Sequence, residues 1–318
     1  MVEDASFELV MKLAGLSSVS EILEQEVIYI EKPEVDDSTK ELVGQEWGIK
    51  KIGANKVWAD GNIGQGVVVG IIDTGVRATH EVIKRNFRGA YGWYDPERQS
   101  AEPYDVDGHG SHVTGTIAGS KGVGVAPGAT WMACKGCREF INEKGVLAVS
   151  CPQVDLLACA QFMLCPTDTN GNNQDCSKAP RVVSNSWGGA GGRPYFMAAA
   201  SAWVKAGIIP VFSQGNDGRK GCATAGSPGD YPNVIGVGST TEADTLSAFS
   251  GKGPTLNSNR RKPDISAPGQ LIRSISNETD TSYMTISGTS MAAPHVTGAI
   301  ALILSAQPDF SIDEVKIA

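Results

Sequence analysis

Residues 66–72 read Gly-Val-Val-Val-Gly-Ile-Ile and run directly into Asp73. A strand with one wet face alternates apolar and polar residues. An unbroken apolar run rich in β-branched side chains instead suits a strand covered on both faces, as parallel sheets require. Further strand candidates lie at Trp131–Cys134, Arg181–Asn185, Ile208–Ser213 and Val234–Gly238. Helical apolar spacing marks His109–Gly119, Asp155–Leu164, Tyr195–Ala206 and Ser290–Ser305. This alternation predicts an α/β fold, a three-layer sandwich with a mainly parallel central sheet. Ligand sites in such sheets gather beyond the carboxyl ends of the strands, which is where Asp73 stands.

The length of 318 residues is enough for one or two domains with a sizeable core. Residues 1–43 differ in pattern from the remainder of the chain. Phe7–Leu16 has helical spacing, Val27–Glu31 reads as a strand, and Lys32–Lys40 is a polar linker. The expected division is therefore residues 1–43 and residues 44–318. The segment from about Arg138 to Pro180 interrupts the strand–helix alternation and reads as a helix plus an exposed loop beside the cleft. Its polar run Thr167–Gln174 is expected to be a surface turn, with calcium binding as the alternative. At the other end, Ser311 followed by Glu314 is a capping box opening a helix that soon meets the end of the sequence, so a C-terminal truncation is expected.

The formal net charge is −8 and no run of five like charges occurs, so a basic nucleic-acid face is not expected. No stretch is read as approaching a membrane span, and the apolar Thr297–Leu304 reads as a core helix. The start, Met1-Val-Glu-Asp-Ala-Ser, lacks the basic and apolar regions of a signal peptide. Either the protein is intracellular or the sequence begins inside a longer precursor. Of seven cysteines, six (Cys134, Cys137, Cys151, Cys159, Cys165, Cys176) crowd one segment and Cys222 stands apart. Cys134 and Cys137 form a Cys-x-x-Cys, but no second pair or nearby histidine completes a zinc site. One to three disulfides are expected, with free thiols as the alternative, and disulfides favour secretion with the leader missing.

Three Gly-punctuated turns carry the chemistry: Asp73-Thr-Gly75, Asp107-Gly-His109-Gly110 and Ser287-Gly-Thr-Ser290-Met-Ala-Ala-Pro294. They supply a carboxylate, an imidazole and a hydroxyl. A serine hydroxyl is a poor nucleophile near neutral pH and needs a base, which in turn needs an orienting group. Ser290, at the start of a helix, is the expected nucleophile, His109 the general base and Asp73 the orienting carboxylate. Pro294 is expected to fall in the first turn of that helix, where it is tolerated. Asp105 and Asp107 are rivals for the orienting role, and His80, His112 and His295 are read as structural.

With their flanks, these motifs resemble the subtilisin-like serine proteases, the subtilase family, over about residues 45–318. The order Asp, His, Ser is the one known for subtilisin itself. Trp47-Gly-Ile-Lys-Lys-Ile52, Asp95-Pro96, Ala126-Pro-Gly-Ala129 and Asn185-Ser-Trp-Gly-Gly189 look most like the bacillopeptidase F-like branch. The resemblance implies a secreted serine endopeptidase of broad specificity, acting on proteins or peptides through an acyl-enzyme. It implies that residues 1–43 are the end of a propeptide acting as an intramolecular inhibitor, the alternative being an N-terminal arm of the mature enzyme. It implies no cofactor for the chemistry, leaves room for structural calcium, and suggests a monomer with neither nucleic-acid nor membrane partners. Asn216 is implied as the oxyanion donor, and with His109 it separates the chain from sedolisins, which use Asp and Glu there. Gln214 departs from the small residue usual beside it. Ser186, Trp187, Gly188, Ser213 and Gly215 are implied to line the primary pocket, with Trp187 as an exposed wall. Large apolar side chains are expected there, since no acid is placed to select Lys or Arg. Activity is expected to fall below about pH 6–7 as His109 takes a proton. The competing reading is a pseudoprotease, a binding or inhibitory module on the same fold.

Overall fold

The structure is a computed structural model that describes residues 5–19, 21–22, 24–30, 33–36, 44–142 and 144–318. Glu31 and all but residues 33–36 of the predicted linker lie outside the described residues. So does the opening Met1–Asp4.

The N-terminal part holds α1 (Phe7–Ala14), β1 (Val27–Tyr29) and β2 (Glu34–Asp36), followed by α2 (Trp47–Lys51) and α3 (Ala54–Ala59). Next come β3 (Val68–Asp73), the two-residue β4 (Trp93–Tyr94), α4 (His109–Ala118) and β5 (Thr130–Lys135). A hairpin, β6 (Arg138–Ile141) and β7 (Leu147–Pro152), leads into α5 (Gln153–Leu164). Alternation then resumes with β8 (Val182–Asn185), α6 (Met197–Lys205), β9 (Ile209–Ser213), β10 (Ile235–Thr240) and β11 (Ile265–Pro268). β12 (Ile272–Ile275), β13 (Tyr283–Ser287), α7 (Thr289–Ala306) and α8 (Ile312–Ile317) complete the order.

The central sheet has seven strands in the order β11-β10-β9-β8-β3-β5-β4, every neighbouring pair parallel. The expected three-layer α/β sandwich is the observed one. β3 sits between β8 and β5, and its apolar run explains why. Val69 and Ile71 enter the core shared with α4 and α7, while Ile72 enters the core shared with α5 and α6. Both faces of the strand are dry, so no polar alternation is tolerated along it.

α7 is apolar on nearly every side because it is wrapped by the fold. By length and composition it qualifies as a membrane span, which corrects the expectation that no stretch approaches that length; yet 78% of it is buried inside the protein. It is a core helix. Gly298 lets it lie against Val125, since a Cβ at 298 would come within 2.5 Å of the Val125 Cβ.

The cysteine-rich segment folds as the β6–β7 hairpin, α5 and a following loop. Three disulfides join Cys134 to Cys159, Cys137 to Cys151 and Cys165 to Cys176, and Cys222 is an exposed free thiol. The two cysteines of the Cys-x-x-Cys therefore bond elsewhere, one to α5 and one to β7. Asp168 accepts from Asn170 N, Asn172 N and Asn173 Nδ2, which makes the polar run a self-bonded surface turn. The predicted capping box at Ser311 and Glu314 is present.

Gly298→Ala should destabilise the protein by about 1–3 kcal/mol, the usual cost of overpacking, although alanine is the better helix former. Urea unfolding of the two proteins side by side measures it.

Candidate active site

Asp73 ends β3 and His109 begins α4, and both side chains are 1% exposed. His109 Nδ1 lies 2.7 Å from Asp73 Oδ1, which also accepts from Thr74 N at 2.8 Å. So close an approach requires glycine at 110, where a Cβ would lie 2.1 Å from the Gly75 carbonyl oxygen and 3.0 Å from the Asp73 Cβ. Gly75 is similarly constrained: its φ is +109° and a Cβ would lie 1.9 Å from the Tyr104 carbonyl oxygen. With Nδ1 bound to Asp73, the ring is held by one nitrogen. Both His109 Nε2 and Asp73 Oδ2 are buried and have no hydrogen-bond partner among the described residues.

Ser290 is the second residue of α7 and is 4% exposed. Its hydroxyl donates to the Ser186 carbonyl at 3.1 Å rather than to the His109 ring. The Ser186 hydroxyl donates back to the Ser290 carbonyl at 3.0 Å. The second bond has a clear cause. Pro294 is the sixth residue of α7, beyond the first turn where it was expected, and it has no N–H to offer the carbonyl four residues earlier. Ser186 fills that gap, and in doing so ties the end of β8 to the start of α7.

Asn216 follows β9. Its Oδ1 accepts from Thr289 N and Thr289 Oγ1, both at 2.9 Å, which fixes the amide so that Nδ2 faces the other way. A Cβ built on Gly288 would lie 3.5 Å from Asn216 Nδ2 and 3.6 Å from Ser290 N, so these two donors border one space beside residue 288. Thr289, given no role of its own in the sequence analysis, is the residue that orients the amide. Its place between Gly288 and Ser290 was the available signal.

One cleft is lined by Ser186, Trp187, Gly188, Gly189, Ser213, Gly215, Asn216, Gly226, Thr289 and Ser290. It gathers Ser290, Asn216 and all five residues expected at the primary pocket, and adds Gly189, Gly226 and Thr289. Trp187 corrects the expectation of an exposed wall. Its side chain is 1% exposed, donates from Nε1 to the Ile72 carbonyl and packs edge-on against Phe196 and Phe212. Gln214 is also buried, and its amide oxygen lies against Gly236, where a Cβ would come within 2.5 Å. The departure at 214 is thus absorbed behind the cleft.

The other carboxylates and histidines sort by environment. Asp105 accepts from Thr74, Asp107, Gly108 and Ser111 and makes no bond to His109. Burial lowers the pKa of His112 to about 3 and of His295 to about 4; each ring also has one nitrogen on a backbone carbonyl, of Ile272 and Met291. Burial likewise lowers that of His80. For His109 burial acts in the same downward sense, but the charge and hydrogen bond of Asp73 outweigh it, with help from Asp107 and Asp105, and the pKa is raised above 6.5.

The opposite signs have opposite consequences. For His112 and His295, stability is present above the unfolded value of 6.5 and is lost as pH falls towards about 3 and about 4 respectively. For His109, the stability from its pairing is present below 6.5 and is lost as pH rises through its raised folded value. Ring-nitrogen NMR of the intact chain should therefore find one histidine titrating above 6.5 and three below it, with the urea midpoint falling as the pH drops from 6.5 towards 4.

A model of the subtilase family matches residues 64–318. Bacillopeptidase F of Bacillus subtilis (strain 168) is 36% identical over 339 aligned positions, covering 98% of this chain but 23% of its own length. The chain thus spans less than a quarter of that relative. Subtilisin DY of Bacillus licheniformis is 34% identical, covering 85% of this chain and 88% of its own. The Major intracellular serine protease of Bacillus subtilis (strain 168) is 34% identical over 81% of this chain and 74% of its own. Among solved structures, a cold adapted subtilisin-like serine proteinase aligns with a TM-score of 0.66 and 27% identity, covering 86% of this chain and 90% of that one.

Proposed function

Since this chain belongs to the subtilase family and is a serine-type peptidase, we propose that it is an endopeptidase working through Asp73, His109 and Ser290. The observation that carries this is the buried 2.7 Å bond between Asp73 and His109, residues 36 positions apart. It commits Nδ1 and leaves Nε2 for the nucleophile. In the proposed reaction the Ser290 hydroxyl exchanges the Ser186 carbonyl for His109 Nε2. It gives its proton to the ring as Oγ attacks the peptide carbonyl. Asp73 steadies the imidazolium, and Asn216 Nδ2 with Ser290 N receives the developing oxyanion. His109 then protonates the leaving amine, and water hydrolyses the acyl-enzyme by the same route. No cofactor enters this scheme. Among the described residues no three His, Cys, Asp or Glu side chains are grouped to hold a metal ion, so any structural calcium would rely on scattered loop oxygens.

For specificity we propose an apolar-leaning primary pocket. The residues lining that cleft include no acid that would select Lys or Arg. Protein or peptide substrates, a monomeric state and an extracellular location belong to the same proposal, the last supported by the three disulfides.

Residues 1–43 are proposed to act as an intramolecular inhibitor. β1 pairs antiparallel with β7, with Ile28 opposite Cys151, and β2 pairs antiparallel with β13, with Glu34 opposite Ser287. Ile30 and Pro33 line a cavity with His109, Val149 and Ile286. Strand addition on both sides of the histidine is how an extended peptide would bind here. Arg219 grips Glu34 at 2.6 Å, and Gln153 bonds the Glu26 backbone.

A fluorophosphonate should label Ser290 in the wild type and leave Ser290→Ala unlabelled, with peptide mapping as the readout; absence of label in folded wild type defeats the triad. The wild type, but not Ser290→Ala, should also shed a fragment ending no later than residue 43, read by intact mass. Asn216→Ala should lower turnover by about 10²–10³-fold with little change in KM; this magnitude is the one known for subtilisin's own asparagine.

A further inference from the structure

We propose that Asp105 is a positioning residue of this site. Its carboxylate clamps the end of β3, and so Asp73, to the start of α4, and so His109. The inference rests on Asp73, His109 and Ser290 being the acting triad.

The clamp is built from five donors on one carboxylate. Asp105 Oδ1 accepts from Thr74 Oγ1 at 2.8 Å, Gly108 N at 2.8 Å and Asp107 N at 3.0 Å. Oδ2 accepts from Ser111 N at 2.8 Å and Ser111 Oγ at 2.6 Å. Thr74 belongs to the chain leaving β3, directly after Asp73, whereas Gly108 and Ser111 flank His109 in sequence. Thr74 Oγ1 also accepts from Gly110 N at 2.9 Å, so one hydroxyl bridges Asp105 and the first turn of α4. The backbone repeats the connection: Val76 N donates to the Tyr104 carbonyl and Val106 N to the Thr74 carbonyl.

α4 begins at a left-handed Gly108 with no side-chain cap on the residue before the helix, so its first amides need an acceptor from elsewhere. Asp105 supplies it for Gly108 and Ser111, and its negative charge faces the positive end of the helix. Nothing else among the described residues joins these two segments through side chains except the Asp73–His109 bond itself and the Arg77 N to Ser111 Oγ bond. Proton transfer tolerates little error in the reacting atoms, and a displacement of about 1 Å can cost on the order of 10²-fold.

The ionisable groups around His109 are Asp73 from β3, Asp105 and Asp107 from the loop before α4, and neutral His112 on α4 itself. The nearby Arg77 guanidinium is occupied by the Asn277 carbonyl and Asp280. Loss of the Asp105 charge should therefore ease deprotonation of His109. Loss of the Thr74 hydroxyl should loosen the geometry and leave that charge in place.

The test compares full-length wild type with Asp105→Asn, Thr74→Val and Thr74→Ser, each shown folded by near-UV circular dichroism. The readouts are fluorophosphonate acylation across pH 5–9 and the low-field NMR signal of the His109 Nδ1 proton. Asp105→Asn and Thr74→Val should acylate about 10–100-fold more slowly. Only Asp105→Asn should move the half-maximal pH downward, and Thr74→Ser, which keeps the hydroxyl, should recover most of the rate. Folded Thr74→Val and Asp105→Asn that acylate like wild type, with an unshifted profile, would overturn the role of Asp105 alone. Should Asp105→Asn not fold, Thr74→Val against Thr74→Ser decides, equal rates in the two being the overturning result. A folded wild type whose His109 signal titrates but whose Ser290 is never acylated overturns the triad, and this inference with it.

Discussion

A carboxylate and an imidazole can share a 2.7 Å hydrogen bond only if the backbones carrying them come nearly into contact, and the rest of the site depends on that contact between β3 and α4. Gly75 and Gly110 make it sterically feasible, since a side chain at either would run into backbone oxygen. The sheet provides the other condition, because β3 is locked between β8 and β5 and its end cannot drift.

Ser290 is held by a different device. A proline inside α7 would ordinarily leave a carbonyl stranded, and the Ser186 hydroxyl reaches across from the end of β8 to satisfy it. That bond connects the central sheet to the helix bearing Ser290, while Thr289 does the same for Asn216 after β9. Three neighbouring strand ends, of β3, β8 and β9, thereby face the starts of two helices, α4 and α7. Both helices begin at glycines, 108 and 288, and lie on one face of the sheet.

One wall of the cavity beside His109 comes from β7 in the cysteine-rich segment. Disulfides from Cys134 to α5 and from Cys137 to Cys151, with the Arg138–Asp155 ion pair, pin the β6–β7 hairpin to the sheet. The hairpin's outer edge is the one taken by β1, and β13, which leads into Ser290, is the one taken by β2. Both strand edges are thus occupied by the chain itself, one by residues 27–29 and the other by residues 34–36.

Local residue chemistry determined much of this. The dry run of Val68–Ile72, the glycines around His109 and Ser290 and the capping box at Ser311 act over a few positions, so the sheet class, most element boundaries within a few residues and Asp73, His109 and Ser290 as candidates were legible in order along the chain. Partnerships between distant segments were not. Trp187, flanked by serine and glycines, reads as exposed, and only the packing of Phe196 and Phe212 from two later elements puts it in the core. Pro294 reads as first-turn until the structure starts α7 at Thr289 and brings Ser186, 104 residues away, to its orphaned carbonyl. Asp105 reads as a rival to Asp73, and it is the fold that gives one the imidazole and the other the amides around it. Side-chain type and short spacing specify what a residue can do, whereas which of several equivalent groups meets a given partner depends on the three-dimensional path of the chain between them.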